Sequence, residues 1–524
     1  MASGYIDARN SDAGDIIEAS VCIVGSGAAG ITLARKLADT VDDLVLIESG
    51  GFSLEGETQN LFSGRNLSLP YFNLAACRLR YWGGTTNHWS GFCRANDAID
   101  YEGRPELNLP KWPVGHDEVE PYIAEAAESL GISPKFFEPQ AIFQNKGLET
   151  EDLVDRKSQI LQTKVFQIAQ DIRLGPKYRE QLGSAPKLRI YHHLNLTHIQ
   201  LAPDGGRVEH LDCATLNGRK VRVKAKIFAI CCHGIENARL LLVSNDVMNV
   251  GVGNAYDHVG RYFMDHTTIP ASKFIPSPSF PVAYDRMFAD NYNLNANVGF
   301  TDDYIREAKL LQYYCRFNPI YMDEKTKESL AYLRDEAMQP GSTALLKDVM
   351  TVLGEVGGVA RFGFSRLNLT HFQPDYYELE HRLEQAPNPD SRVVISDRRD
   401  ALGNLIADLD WRIVDEDVRS FKLGQEKIVA EFSALGYGRV EKEEITRDLV
   451  ESRIAGHYHQ IGTTRMSDRP EDGVVDRNLK VHGVDNLYIG GSSTFPTAGY
   501  SGPTMMIVGF SIRLAAHIKQ QLSA

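Results

Sequence analysis

Val21-Cys-Ile-Val-Gly-Ser-Gly-Ala-Ala-Gly30, continued by Ile31-Thr-Leu-Ala-Arg-Lys-Leu-Ala38 and then Asp43-Leu-Val-Leu-Ile-Glu-Ser-Gly50, decides how this chain folds. An apolar run, Val21 to Val24, enters a glycine turn in the G-x-G-x-x-G register, with Gly25, Gly27 and Gly30 at the fixed positions. An Ala/Leu-rich helical pattern follows, and a second apolar strand ends in Glu48, eighteen residues after Gly30. Gly25 permits the tight turn, Gly27 lets the backbone approach a pyrophosphate, and Gly30 lets helix and strand pack closely. The helix beginning at Ala28 and Ala29 aims its positive end at the phosphates. Glu48, followed by Ser49, stands where a carboxylate takes ribose hydroxyls. Strand, turn, helix, strand and acid in this order predict a dinucleotide site, and leave FAD against NAD open.

Working outward, 524 residues suffice for two substantial domains, and 43% hydrophobic with 24% charged residues describes a soluble globular composition. A formal net charge of −13 argues against a nucleic-acid partner, since no basic excess exists to neutralise phosphates. No apolar run reaches the roughly 18 residues of a membrane span, and the first residues lack the basic and apolar regions of a secretion signal. The seven cysteines are odd in number and scattered, mostly within apolar runs, which predicts buried free thiols in a reducing cytoplasm. No C-x-x-C occurs, so no metal site is expected.

The periodicity predicts a helix over 114–131 stopped by Gly131, short strands between 188 and 232, and a buried central strand at Ile227–Cys232 returning to the first sheet. A helix from Glu236 to Ser244 follows. Residues 267–450 are richer in Tyr, Phe and charge, with antiparallel strands expected near 391–396 and 406–413 and an amphipathic helix over 418–435. The end turns glycine-rich again and closes with an apolar helix from Met505 to Leu522. The expected fold is α/β: a discontinuous Rossmann-like domain (1–100, 188–266, 455–524) with an inserted α+β substrate domain on an antiparallel sheet (101–187, 267–454).

Four motifs in this order resemble one family. They are Gly25 to Gly30; the loop Gly83-Gly-Thr-Thr-Asn-His-Trp89; the passage Cys232-His-Gly-Ile-Glu-Asn-Ala-Arg-Leu-Leu-Leu242; and a C-terminal block. That block holds His459-Gln-Ile-Gly-Thr-Thr-Arg-Met466, Gly473-Val-Val-Asp-Arg-Asn478 and Asn486-Leu-Tyr-Ile-Gly-Gly-Ser-Ser-Thr-Phe-Pro-Thr497. Together they resemble the glucose-methanol-choline (GMC) oxidoreductases, nearest the branch of pyranose oxidase and bacterial sugar and glycoside dehydrogenases. The resemblance implies FAD rather than NAD and oxidation of an alcohol, on a polyol, sugar or glycoside, to a carbonyl. Cofactor contacts are implied at Gly25, Gly27, Ala28, Ala29, Gly30, Glu48, Ser49, Gly83, Gly84, Thr85, Asn87, His88, Trp89, Leu196, Gly234, Gly491, Ser492, Pro503 and Thr504.

Hydride abstraction needs an electron sink that no side chain provides, and a base, for which histidine suits best. The resemblance puts His459 in that role; His457, two residues earlier, points the other way if the segment is a strand. His88 resembles a histidine that bonds the flavin covalently, though relatives keep a similar His-Trp pair without the bond, and both readings stand. Asp265-His266 is expected to play a structural part. The sequence departs from the family at Ala498-Gly-Tyr-Ser-Gly-Pro-Thr504, where Gly502 occupies a position usually held by His or Asn. Either Tyr500 or Ser501 replaces the donor, or the substrate fills the gap, or the protein is a flavin-containing lyase that does not oxidise. Electrons pass to an external acceptor: oxygen, a quinone or a carrier protein. A homo-oligomer is compatible with the sequence.

Overall fold

The computed structural model describes residues 4–10, 16–137, 153–170, 173–281, 284, 286–289, 292–323, 325–326, 328–330, 345–366 and 374–523. The apolar run of the opening motif forms strand Ile16–Val24, whose Val21, Cys22 and Ile23 are wholly buried. It lies parallel between Leu44–Ile47 and Lys220–Ile230, with Val24 in register with both Ile47 and Ile230. Leu188–His192 and Tyr5–Asp7 extend the parallel sheet on one side. On the other, Val208–Ala214 and Asn195–Leu201 add antiparallel strands, and Leu487–Ile489 returns from the C-terminus to pair with Lys220–Ile230. The three central strands end together beside the glycine turn, the edge at which open α/β sheets hold ligands.

Helix Ala28–Leu37 starts directly after the turn, with no side chain capping its first amides. The C-terminal helix Thr504–Ser523 and helix His116–Ser129 pack in the same layer, the former starting at the same edge of the sheet. Gly131, at φ 69°, ends the latter as the sequence predicts.

A second, antiparallel sheet runs Gly438–Lys442, Thr267–Pro276, Tyr376–Leu383, Tyr313–Ile320, Tyr292–Phe300, Leu161–Ile168, Phe92–Cys93. Its strand Tyr376–Leu383 alternates strictly. In Tyr376–Leu383 the buried residues Tyr377, Leu379, His381 and Leu383 face helix Asp415–Ala434, while Tyr376, Glu378, Glu380 and Arg382 look the other way. Arg382 on this polar face borders the same cavity as the glycine turn. The hairpin Arg392–Arg399 and Leu405–Asp410 stands apart from that sheet and packs on helix Gly234–Val243, where Arg239 Nε donates to Leu405 O at 2.7 Å. The inserted segment therefore serves both sheets. No helix of the described residues is long and apolar enough to cross a membrane.

Candidate active site

Between the two sheets lies a cavity of about 660 Å³, within the size of small-molecule and cofactor sites. At its nucleotide end the glycine turn shows why each glycine is needed. Gly25 has φ 95°, and a Cβ there would stand 2.6 Å from Cys231 O. A Cβ on Gly30 would overlap Gly25 O. A Cβ on Gly27 would meet no protein atom within 4 Å, because the position opens on the cavity. Glu48 Oε2 accepts from Ser26 N (2.9 Å) and Ser26 Oγ (2.7 Å), and Oε1 from Gly50 N (2.9 Å), so its carboxylate fixes the turn as well as facing the cavity.

The loop Gly83–Trp89 is tied to this turn by Gly83 N donating to Ser26 O at 3.1 Å. Gly83 has φ 93°, and Gly84–Asn87 make one tight turn, braced by Thr86 Oγ1 to Gly83 O (2.6 Å) and Asn87 Nδ2 to Trp82 O (2.8 Å). Gly84, Thr85, His88 and Trp89 line the cavity together with Ala28, Ala29, Ser49, Gly491, Ser492, Pro503 and Thr504. Gly30, Gly83, Asn87, Leu196, Gly234 and Ser501 are not among its lining residues. Ser501 is the plainest departure, since its hydroxyl donates to Arg94 O inside the protein. Tyr500 presents its ring to the cavity, but its hydroxyl is engaged by Arg94 and donates to Asp97 Oδ2 at 2.8 Å. Neither supplies the donor missing at Gly502.

The other end of the cavity is built around His459. Its Nδ1 lies 2.8 Å from His266 Nδ1, and His266 Nε2 lies 3.1 Å from Ala498 O. A carbonyl only accepts, so His266 carries its proton on Nε2; its Nδ1 then accepts, and His459 donates from Nδ1. This network leaves the lone pair of neutral His459 on Nε2. Burial lowers His266 to about 4 and holds His459 well below 6.5, with the neighbouring His266, His457 and Arg382 adding to the effect. Both imidazoles are therefore neutral near pH 7. The His459 side chain keeps 29% exposure toward the cavity.

Asp265 holds the strand-like segment that carries these rings. Its Oδ1 accepts from His457 N (3.0 Å) and His459 N (3.1 Å), and its Oδ2 from Tyr71 Oη (2.6 Å). Burial pushes Asp265 up to about 7 while those hydrogen bonds pull it down. The expectation that His457 points away is corrected: Tyr458 has φ 64°, which breaks the alternation, and the rings of His457 and His459 lie 6.0 Å apart on the same cavity. Asp265 and His266, expected to play a structural part, stand directly against His459. Opposite, a Cβ on Gly502 would lie 3.6 Å from His459 Nε2, so this glycine leaves space in front of the lone pair.

Several buried polar atoms of the wall, Arg80 Nε and His457 Nε2 among them, have no protein hydrogen-bond partner among the described residues. With a helix start free of side-chain caps and an open face at Gly27, they fit a polar dinucleotide and its substrate. The sequence reading gave Asp265 and His266 only a structural part and missed Arg316 and Arg382; all four are grouped at this end. The alternating charges of Tyr-Tyr-Glu-Leu-Glu-His-Arg-Leu over 376–383 were the available signal for the last of these.

Residues 387–511 match the family model described as GMC oxidoreductase. The fructose dehydrogenase large subunit of Gluconobacter japonicus is 25% identical over 304 residues, taking in 57% of this chain and 48% of that subunit, so the match spans about half of that relative's length. The 2-methyl-1,2-propanediol dehydrogenase of Mycolicibacterium austroafricanum is 22% identical across 97% of this chain and 96% of that enzyme. Among solved structures, formate oxidase of Aspergillus oryzae superposes with a TM-score of 0.58 at 15% identity, covering 98% of this chain and 100% of that one. The last likeness is one of fold.

Proposed function

We propose, from the premise that the chain is a GMC oxidoreductase, that it oxidises an alcohol carbon of a sugar, glycoside or related polyol using FAD held in the cavity between its sheets. The observation that carries the reading is the lone pair of His459 Nε2, fixed by His266 and facing the space that Gly502 leaves open. Supporting the substrate class are the names of two relatives, one a fructose and one a diol dehydrogenase.

The ADP half would lie on Gly25–Ala29 with its ribose at Glu48, and the ring would face Gly84–Trp89, Gly491–Ser492 and Pro503–Thr504. FAD supplies the electron sink for the hydride that no amino acid can accept. The chain does the rest. His459 Nε2 takes the hydroxyl proton of the substrate, and the resulting imidazolium keeps its Nδ1 hydrogen bond to His266, whose own proton stays on Nε2, donated to Ala498 O. Asp265 fixes the backbone of both cavity histidines, so the base cannot swing from the hydroxyl. The polar sheet face covers the substrate and excludes bulk water, which strengthens each of these contacts. His88, at the cavity wall, contacts the ring or bonds to it, and acid precipitation separates the two: a yellow pellet means a covalent link, a colourless one a contact only.

The reading is tested by adding sugars and glycosides to the flavin-loaded protein without oxygen. Loss of the oxidised-flavin absorbance supports it, and an unchanged spectrum across the panel overturns it. Gly502 does not favour a non-oxidative lyase, because it stands clear of the base and removes none of the groups that position it.

A further inference from the structure

The edge of the parallel sheet gathers two histidines and two carboxylates that the proposed oxidation does not use. Asp7 ends the edge strand and is the register partner of His192, the last residue of Leu188–His192. His193 follows at φ 58°, a left-handed backbone that a residue with a side chain holds only where its surroundings impose it. In that conformation the Nδ1 atoms of His192 and His193 lie 2.9 Å apart, and Asp7 Oδ1 lies 3.4 Å from His193 Nδ1. On the far side of its ring, His193 Nε2 stands 2.9 Å and 3.2 Å from the two oxygens of Glu55. Glu55 is held in turn by Thr58 Oγ1, which donates to its Oε2 at 3.1 Å. The packing is close: a Cβ on Gly51 would fall 2.8 Å from His193 Nε2 and 3.1 Å from Glu55 Oε1. A carboxylate only accepts, so His193 carries a proton on Nε2, and in the neutral ring the lone pair is on Nδ1, on the side of His192 and Asp7.

We propose that Asp7 Oδ1, His192 Nδ1 and His193 Nδ1 together bind a divalent transition-metal ion of the zinc class, with Glu55 fixing His193 from behind. Ligand atoms about 2.1 Å from one ion stand roughly 3.0–3.4 Å apart when their angle at the ion is between a right angle and a tetrahedral one. The separations of 2.9 and 3.4 Å match that spacing, and one ligand atom of each residue lies within 4.8 Å of the others. A carboxylate behind a ligating imidazole sets its tautomer and raises its basicity, the part Glu55 plays here. Two imidazoles with a carboxylate suit zinc, copper or nickel rather than magnesium or calcium. Burial lowers the His192 imidazole below its usual value, which keeps it neutral and able to ligate, and the Arg9 guanidinium holds the Asp7 carboxyl well below the carboxylate range. Asp7 and Glu55 are 26% and 35% exposed, which opens a path for the ion from solvent. Arg9 competes with it, through Nε at 3.0 Å from Asp7 Oδ1 and Nη2 at 2.7 Å from Oδ2, on an exposed side chain that can swing away. The ion takes the place of the proton between the two Nδ1 atoms, and His192 keeps its proton on Nε2. It would tie the edge strand to the turn after Glu48, since His193 N donates to Gly50 O at 3.3 Å. Cysteine spacing points to no metal site; this one is made of histidine and carboxylate instead.

The test is calorimetric titration of zinc chloride into the full chain, treated with EDTA and carrying no added histidines, with melting temperature read alongside. One equivalent of zinc should bind and raise the melting temperature, and magnesium should do neither. Glu55→Gln should weaken zinc binding about 10–100-fold, and Asp7→Asn and His192→Ala, which remove ligands, by at least as much. Arg9→Ala takes away a competing cation and no ligand, so it should bind zinc more tightly. Loss of binding in that variant would show that the signal follows the integrity of the sheet edge and not ligation, and would overturn the inference. Absence of zinc binding to the parent overturns it too. Zinc held instead by Asp265, His266 and His459 would bind Asp7→Asn, His192→Ala and Glu55→Gln as it binds the parent, and that result also overturns the site.

Discussion

His266 Nδ1 and His459 Nδ1 face one another at 2.8 Å, and because the one N–H of neutral His266, on Nε2, donates to Ala498 O, this single contact fixes which nitrogen of His459 is free. Both ring nitrogens of His266 are engaged, Nδ1 by His459 and Nε2 by Ala498 O, so it acts through His459 as a positioning residue. His266→Ala should lower the rate of flavin reduction by about tenfold to a hundredfold, between the loss of one positioning hydrogen bond and the loss of a base. The pH at which the rate falls should also move, a change that a purely structural role would not produce. His266→Asn, which offers an acceptor in reach of Nδ1, should recover part of the rate. A rate and pH profile unchanged in His266→Ala would show that the tautomer is set elsewhere.

The acid limb of the rate is a second expectation. A base works deprotonated, and burial holds His459 well below 6.5. Activity should therefore stay on its plateau as pH falls through 6.5 and drop only at more acid values, where Nε2 gains a proton. A half-maximal point at pH 7 or above, measured on kcat/KM at saturating acceptor, would contradict this assignment.

The glycine turn separates folding from cofactor binding. Gly27→Val places its side chain in the cavity and meets no protein atom at Cβ, so the chain should fold with near-parental thermal stability yet lose its flavin. Gly25→Val and Gly30→Val instead drive Cβ into backbone atoms and should cost stability or expression. Flavin absorbance per chain and melting temperature, read together, check both halves. A yellow Gly27→Val protein would place the pyrophosphate elsewhere.

Gly502 is argued to be space for the substrate. Gly502→Asn adds a side chain within contact of His459 Nε2, and should block glycosides while leaving small alcohols as substrates. If glycosides are oxidised as fast or faster by the variant, the glycine is the remnant of a lost donor and not room for the substrate.

The nucleotide half was legible because its physics is local. Three glycines, a helix pattern and Glu48 specify a turn, a dipole and a carboxylate within thirty residues, and the strand register Val24–Ile47 follows from that spacing. The glycine-dense loop was legible as a motif but not as a wall: Asn87 carries the pattern and turns inward, its Nδ2 donating to Trp82 O. The reactive end was only half visible. His459 stood out, yet its partner His266 lies 193 positions away in sequence, and no periodicity links residues that meet only after two sheets close. His457 was misassigned because a left-handed Tyr458 is invisible in a strand-like string. The arginines were overlooked because a charged position in a strand reads equally as solvent-facing or cavity-facing until the covering domain is known.

The most direct test of the account is anaerobic flavin reduction by a sugar or glycoside substrate in the parent protein and in His459→Ala, each loaded with FAD. The parent should bleach on mixing, and the variant should keep its FAD and fold but bleach about 10²–10⁴-fold more slowly, the worth of a positioned general base. A variant that bleaches at the parental rate would contradict the role given to His459 Nε2, and with it the chemistry assigned to this cavity.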